Sequence, residues 1–132
     1  MSGEKDLAII LRSIAVSCDD KEYIYCATNS YDKVADLLPD SVGLFKENEA
    51  TTVIILKELL QDDDVQRSGS YAKLTIDVHT SLEAVGLTAA MAKVLTKYGI
   101  SANVVAAYYH DHIFVPYELK DQAIKALSSL GR

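Results

Sequence analysis

Apolar and polar positions alternate along this chain with two different periods, and the second half keeps time far better than the first. Near the start, Leu7, Ile10, Leu11 and Ile14 recur at three- and four-residue steps, which puts them on one face of a helix. Asp19-Asp20 marks a turn, and residues 23–27 have the aromatic and apolar makeup of a strand. Residues 29–40 are polar and turn-rich, ending in Pro39-Asp40. Residues 42–45 and 52–56 read as two strands joined by Lys46-Glu47-Asn48-Glu49. Residues 58–65 suit a short helix, frayed by the run Asp62-Asp63-Asp64.

The second half is sharper. Leu74, Ile76 and Val78 alternate with Thr75, Asp77 and His79, the period-two mark of a half-buried strand. After a loop over residues 80–86, Leu87, Ala90, Met91, Val94, Leu95 and Tyr98 fall on one helical stripe that leaves Lys93 and Lys97 outside. Gly99 suits the left-handed residue that ends a helix. Residues 100–109 read as a long strand, His110-Asp111 as a tight turn, and residues 112–115 as a returning strand stopped by Pro116. A last helix over residues 118–130 carries Leu119, Ala123, Ile124, Leu127 and Leu130 on one side.

Residues 72–130 therefore spell strand, helix, strand, strand, helix. That is a ferredoxin-like β-α-β-β-α-β unit without its closing strand. A sheet edge left unpaired must be covered, and the natural donor is an N-terminal strand of the same chain. The expected class is α+β, with two ferredoxin-like units interlocked through shared strands.

Composition narrows the function. The 132 residues are 49% hydrophobic and 24% charged, enough apolar content to build a core and too much for a disordered chain. Thirteen basic against nineteen acidic residues leave a net charge of −6, which argues against nucleic acid and against an anionic membrane surface. The opening Met-Ser-Gly-Glu-Lys-Asp lacks the features of a secretory signal, and the apolar residues 7–16 are interrupted by Arg12 and Ser13. Cys18 and Cys26 then read as reduced thiols, Cys26 as a small core residue, and the protein as cytoplasmic.

Catalytic signatures do not appear. No nucleophile elbow, phosphate loop or zinc-binding His-Glu-x-x-His pattern occurs, so neither a catalytic residue nor a cofactor is assigned. His110-Asp111-His112 sets two imidazoles two residues apart, an arrangement that suits a metal. No third ligand is spaced nearby, and a turn closed by Asp111 is the simpler account. Asp62-Asp63-Asp64 reads as a solvated loop, and Tyr108-Tyr109 as side chains packed on the sheet faces or in an interface. Thr80 with Glu83 matches a helix capping box.

The run Ser81-Leu82-Glu83-Ala84-Val85-Gly86-Leu87-Thr88-Ala89-Ala90, followed by Tyr98-Gly99-Ile100-Ser101-Ala102-Asn103-Val104, resembles ACT domains of aspartate kinase regulatory regions. The stretch Tyr108-Tyr109-His110-Asp111-His112-Ile113-Phe114-Val115-Pro116 is similar to small stand-alone bacterial proteins made of two ACT-like halves. The resemblance divides the chain into a degenerate ACT-like half at 1–70, with a leading helix, and an ACT domain at 71–132.

What it implies is a non-enzymatic regulatory module that binds a small molecule, usually an amino acid, and assembles as a homodimer. The ligand would sit where the first strand turns into the first helix, at Glu83, Ala84, Val85, Gly86 and Leu87. A second strand, often from a neighbouring domain or subunit, closes such sites; its positions here are Ile100, Ser101, Ala102 and Asn103. Glu83 departs from a carboxylate-binding pattern, since its charge repels a carboxylate and suits an α-amino group. Gly86 serves either as a close-approach point for the ligand or as a packing residue, and Ser101 and Asn103 line either a pocket or the solvent. Two rival readings stand beside this one: a ligand-free structural or protein-interaction module, and a metal-dependent enzyme built on His110, Asp111 and His112.

Overall fold

The computed structural model describes residues 6–78 and 85–131. Its contacts group the chain into two compact units, one formed by residues 1–20 and 72–132 and the other by residues 21–71. We call them unit 1 and unit 2.

Unit 1 opens with α1 (Leu7–Arg12), capped by the Asp6 carboxylate, which accepts from the Ala8 N–H at 3.0 Å. Ile10 from this helix is fully buried. The strand β1 (Ala15–Cys18) follows and lies antiparallel to β6 (Tyr71–Asp77), with Ala15 opposite Asp77 and Cys18 opposite Leu74. After β6 come α3 (Leu87–Lys97), β7 (Asn103–Ala106), β8 (Asp111–Pro116) and α4 (Lys120–Ser128). The strand order β1-β6-β8-β7 makes a ferredoxin-like unit whose fourth strand arrives from the N-terminus of the chain. The expected donor strand is thus present, and β6 gains a partner along the edge that residues 72–130 alone leave bare. Asp20 holds the turn after β1 in a left-handed conformation, φ 60°, and its carbonyl accepts from the Tyr117 hydroxyl at 3.0 Å.

The core of unit 1 follows the expected alternation. Ala72, Leu74 and Ile76 of β6 and Ile113 and Val115 of β8 point inward, against Leu87, Met91 and Leu95 of α3 and Ala123, Ala126 and Leu127 of α4. The helix α3 ends as its sequence requires, with Gly99 at φ 70°.

Unit 2 uses the same strand order with less material. β2 (Tyr23–Thr28), α2 (Tyr31–Leu37), β3 (Ser41–Lys46), β4 (Thr51–Leu56) and β5 (Gln66–Arg67) form a sheet in the order β5-β2-β4-β3. Ile24 faces Ile55 and Cys26 faces Val53, and these four are buried with Leu60 and Val65.

Several elements differ from the sequence reading. Residues 29–40 contain α2, whose N-cap is Ser30, its hydroxyl oxygen accepting from the Lys33 N–H at 3.3 Å. No residue of α2 is fully buried; only Leu37 packs against the core of the unit, and this short helix gives too little periodicity to detect. Residues 58–65 do not form a helix; a single 3-10 turn, Lys57–Leu59, leads into a loop. Asp62 organises that loop by accepting from the Asp64 N–H and pairing with Lys33 at 3.0 Å, and these two contacts hold its carboxyl below the usual range. The long strand expected over residues 100–109 shrinks to Asn103–Ala106, because the chain already turns at residues 107–110, with the Ala107 N–H donating to the His110 carbonyl. Tyr108 and Tyr109 therefore sit on the turn, 79% and 81% exposed, instead of packing on the sheet. The last helix is shorter than expected, α4 being flanked by 3-10 turns at Tyr117–Leu119 and Ser129–Gly131.

Candidate functional site

The start of α3 is the part of unit 1 in which sequence and geometry converge. Gly86 occupies the N-cap position at φ 99°, a conformation that a side chain rarely adopts. A Cβ at Gly86 would stand 3.0 Å from a terminal methyl of Leu7, so α1 also presses on this point. Both constraints are structural, and both demand glycine. Because glycine has no side chain, it offers no cap to the N–H groups of the first turn, which carry the positive end of the helix dipole. The α3 helix starts at Leu87, so Gly86 holds its cap position; the Thr80–Glu83 capping box lies outside the described residues.

The structure places the expected site residues unevenly. Glu83 and Ala84 lie outside the described residues. Val85 is 84% exposed and directly precedes Gly86. Leu87 is buried in the core, as is Ile100, and Ala102 packs against the same cluster. Only the backbone of those three positions is free to face a ligand. Ser101 and Asn103 are exposed, opposite in phase to Ile100, Ala102 and Val104.

The two halves of the expected site do not meet within one unit. Gly86 precedes α3 and Ile100 follows it, and 11 helical residues at 1.5 Å each separate them by roughly 16 Å.

The histidines are engaged in the sheet. His112 Nδ1 lies 3.1 Å from the Thr75 hydroxyl, and His110 Nε2 lies 3.8 Å from an Asp77 carboxylate oxygen. Burial, then Lys73 and His110, push the His112 imidazole toward its neutral form, while burial pushes the Asp111 carboxyl up. Among the described residues, no group of three or more His, Cys, Asp or Glu side chains is placed to hold a metal. Cys26 is buried and donates to the Val53 carbonyl at 3.4 Å; Cys18 is half-buried, and burial raises the pKa of both thiols.

Sequence reasoning missed one concave feature. In unit 2, a cleft of about 600 Å³ is lined by polar groups, among them Thr28, Asn29, Glu47, Glu49, Asp64 and Gln66. They come from the end of β2, the β3–β4 hairpin and the loop before β5, so no local motif announces them.

Comparison with known proteins places this geometry. One sequence profile of the ACT domain matches residues 2–71, more than half of the chain, and another matches residues 66–129. Among solved structures, a Vibrio cholerae protein of unknown function, described as a possible transport protein, shares 37% identity over 97% of this chain and 98% of its own, with a TM-score of 0.84. The ligand-free regulatory subunit of aspartate kinase from Thermus thermophilus shares the fold, with a TM-score of 0.66 and 11% identity over 87% of this chain and 95% of its own. A regulatory-domain structure described as from the C-terminal part of aspartate kinase of Porphyromonas gingivalis does so at a TM-score of 0.62 and 15% identity, over 89% and 96%. No curated protein matches the chain. Two profile matches of one family, laid over two units with the same strand order, lead to one conclusion: the chain belongs to the ACT-domain family.

Proposed function

We propose that the protein is a non-catalytic regulator that binds an amino acid, with the ligand's α-carboxylate received at the start of α3. The observation that carries this reading is the start of α3 at Gly86, a cap residue with no side chain to occupy the first-turn N–H groups, with exposed Val85 beside it. Backbone N–H groups at a helix N-terminus suit a carboxylate, and ACT domains are regulatory modules of this kind. Since Ser101 and Asn103 lie at the far end of α3, the second wall of the site comes from another copy of the chain, and a homodimer is the working unit. Ligand bridging two copies then shifts their packing equilibrium, which is the regulatory output.

Unit 2 does not repeat this feature. Its corresponding strand-to-helix turn is closed by Ser30, whose hydroxyl oxygen already accepts from the Lys33 N–H. One ligand per chain is therefore expected.

The test is a thermal melt against the twenty common amino acids. A ligand at a hundred times its dissociation constant adds about 2.7 kcal/mol, a shift of several degrees. Val85→Asp puts a negative charge beside the helix end, where it favours the helix and repels a carboxylate. The variant should keep the melting temperature of the free protein and lose the ligand shift. A flat panel with the native chain overturns the amino-acid reading.

A further inference from the structure

At the opposite end of α3 from Gly86, unit 1 presents a second surface. A cleft of about 510 Å³ is lined by Tyr98, Gln122, Lys125, Ala126 and Ser129. The last four recur at helical spacing, so α4 and the turn after it build one wall, and Tyr98 builds the other. Tyr98 was expected on the buried stripe of α3. Instead it follows the helix as its C-cap and is 56% exposed, a large ring with no place in the core. The Lys97 ammonium stands 6.0 Å from the centre of that ring.

The charge around this cleft runs against the rest of the molecule. Residues 21–71 hold five basic and ten acidic side chains, net −5, whereas residues 1–20 and 72–132 hold eight and nine, net −1. The helix α3 carries Lys93 and Lys97 and no acidic residue. Among the described residues, Asp121, one turn before Lys125 on α4, comes within ion-pair distance of no lysine. Among the described residues, Lys93, Lys97 and Lys125 pair with no carboxylate, although acids outnumber bases in the chain. Lys33, Lys57 and Lys73 each meet one, at 3.0, 4.0 and 3.9 Å. Lys125 on the cleft wall and Lys97 beside the Tyr98 ring, next to the apolar surface of Tyr98 and Ala126, complement carboxylates attached to an apolar chain.

We propose that this cleft docks an acidic peptide segment of a partner protein. An apolar side chain of the peptide rests on the Tyr98 ring and the Ala126 methyl, and its carboxylates meet Lys97 and Lys125. Such a contact gives the regulator a route to a protein partner, and it does not depend on an amino acid binding at Gly86.

The experiment uses the full chain with two fluorescein-labelled dodecapeptides, one alternating Glu and Leu and one alternating Lys and Leu. Anisotropy at low salt should show binding of the acidic peptide, weakening as salt rises, and none of the basic one. The double variant Lys97→Glu, Lys125→Glu should weaken it by about tenfold or more, as charge reversal at a contact does. The neutral pair Lys97→Gln, Lys125→Gln should weaken it less, Tyr98→Ala several-fold, and Lys57→Glu in unit 2 not at all. The amino-acid melt shift should survive in all of them, which separates this surface from the ligand site. No binding of the acidic peptide, or equal loss in the Lys57→Glu control, overturns the proposal. Self-association seen by sedimentation and abolished by the Lys97, Lys125 double variant would assign the surface to a second copy of the chain, and would overturn it as well.

Discussion

Unit 1 and unit 2 lay four strands in the same order, but unit 1 covers its sheet with two helices where unit 2 has one helix and a loop. Among the described residues, thirteen buried apolar side chains make the first core and six the second. In unit 2 the place of the second helix is taken by the residues after Lys57–Leu59. There Leu60 and Val65 reach the core from a loop tied down by Asp62. Two apolar plugs and a few polar ties replace an amphipathic helix. The strand pairing survives that exchange because the sheet takes its register from inward pairs such as Ile24–Ile55 and Cys26–Val53. The comparison teaches that strand order belongs to the family and that helical cover is negotiable.

The largest test of this contrast is a matched pair of core truncations. Leu74→Ala in unit 1 and Ile55→Ala in unit 2 remove fully buried side chains, and each should cost about 2–5 kcal/mol by urea denaturation. Leu74 sits in the larger, better-covered core, so its loss belongs at the upper end. A greater loss for Ile55→Ala would break the comparison.

Next come the strained glycines of unit 1. Gly86→Ala should cost roughly 1–3 kcal/mol, since it adds a left-handed side chain to a clash with Leu7. Gly99→Ala carries the left-handed conformation alone, with nothing within 4 Å, and should cost less. Equal melting temperatures for the two would remove the role given to Leu7. The same strain makes Gly86 a poor position for probing ligand binding, which is why Val85 is the better one.

In unit 2, Ser30→Ala deletes the cap of α2 and should cost about 1 kcal/mol. The loss should appear as faster amide exchange within Tyr31–Leu37 and leave unit 1 unaffected. Exchange spreading evenly over the chain would contradict two separate cores.

The smallest effects concern pH, and the units differ in sign. His112 in unit 1 has its folded pKa lowered by burial first, so the unfolded chain binds the proton more readily. Stability from this residue is complete above about pH 6.5 and is lost as pH falls below it. Asp111, raised by burial, works in the opposite direction, regaining stability only as pH drops further toward the carboxylate range. In unit 2, burial and then Tyr71, whose ring centre lies 5.2 Å away, push Tyr25 up to about 12. Stability from Tyr25 is therefore present below pH 10 and is lost as pH rises from there to about 12. His112→Gln should flatten the mildly acid limb of the stability profile and Tyr25→Phe the alkaline limb; swapped limbs would refute both assignments.

Much of unit 1 was legible in the chain. Leu74 and Ile76 on one period, and Leu87, Met91 and Leu95 on another, announce a strand and a helix because burial on one face must repeat with the backbone geometry. The missing closing strand was legible too, as an edge that physics requires to be paired. The helix α2 was not, because seven residues that send only Leu37 against the core make too short a stripe to read among polar neighbours. Tyr98 misled the reading for a related reason: an aromatic residue at the right period looks like core until the chain is seen to end its helix first.

The sequence by itself determined the fold class, the family and the start of α3 as the place to look, since these follow from periodicity, from Gly86 and from a run of matched residues. Only the tertiary structure decided that Gly86 stands at φ 99° in close contact with Leu7. It also showed that Lys125 and Tyr98 line one cleft, with Lys97 beside the Tyr98 ring. Those are relations between residues distant in sequence, and only packing brings them together.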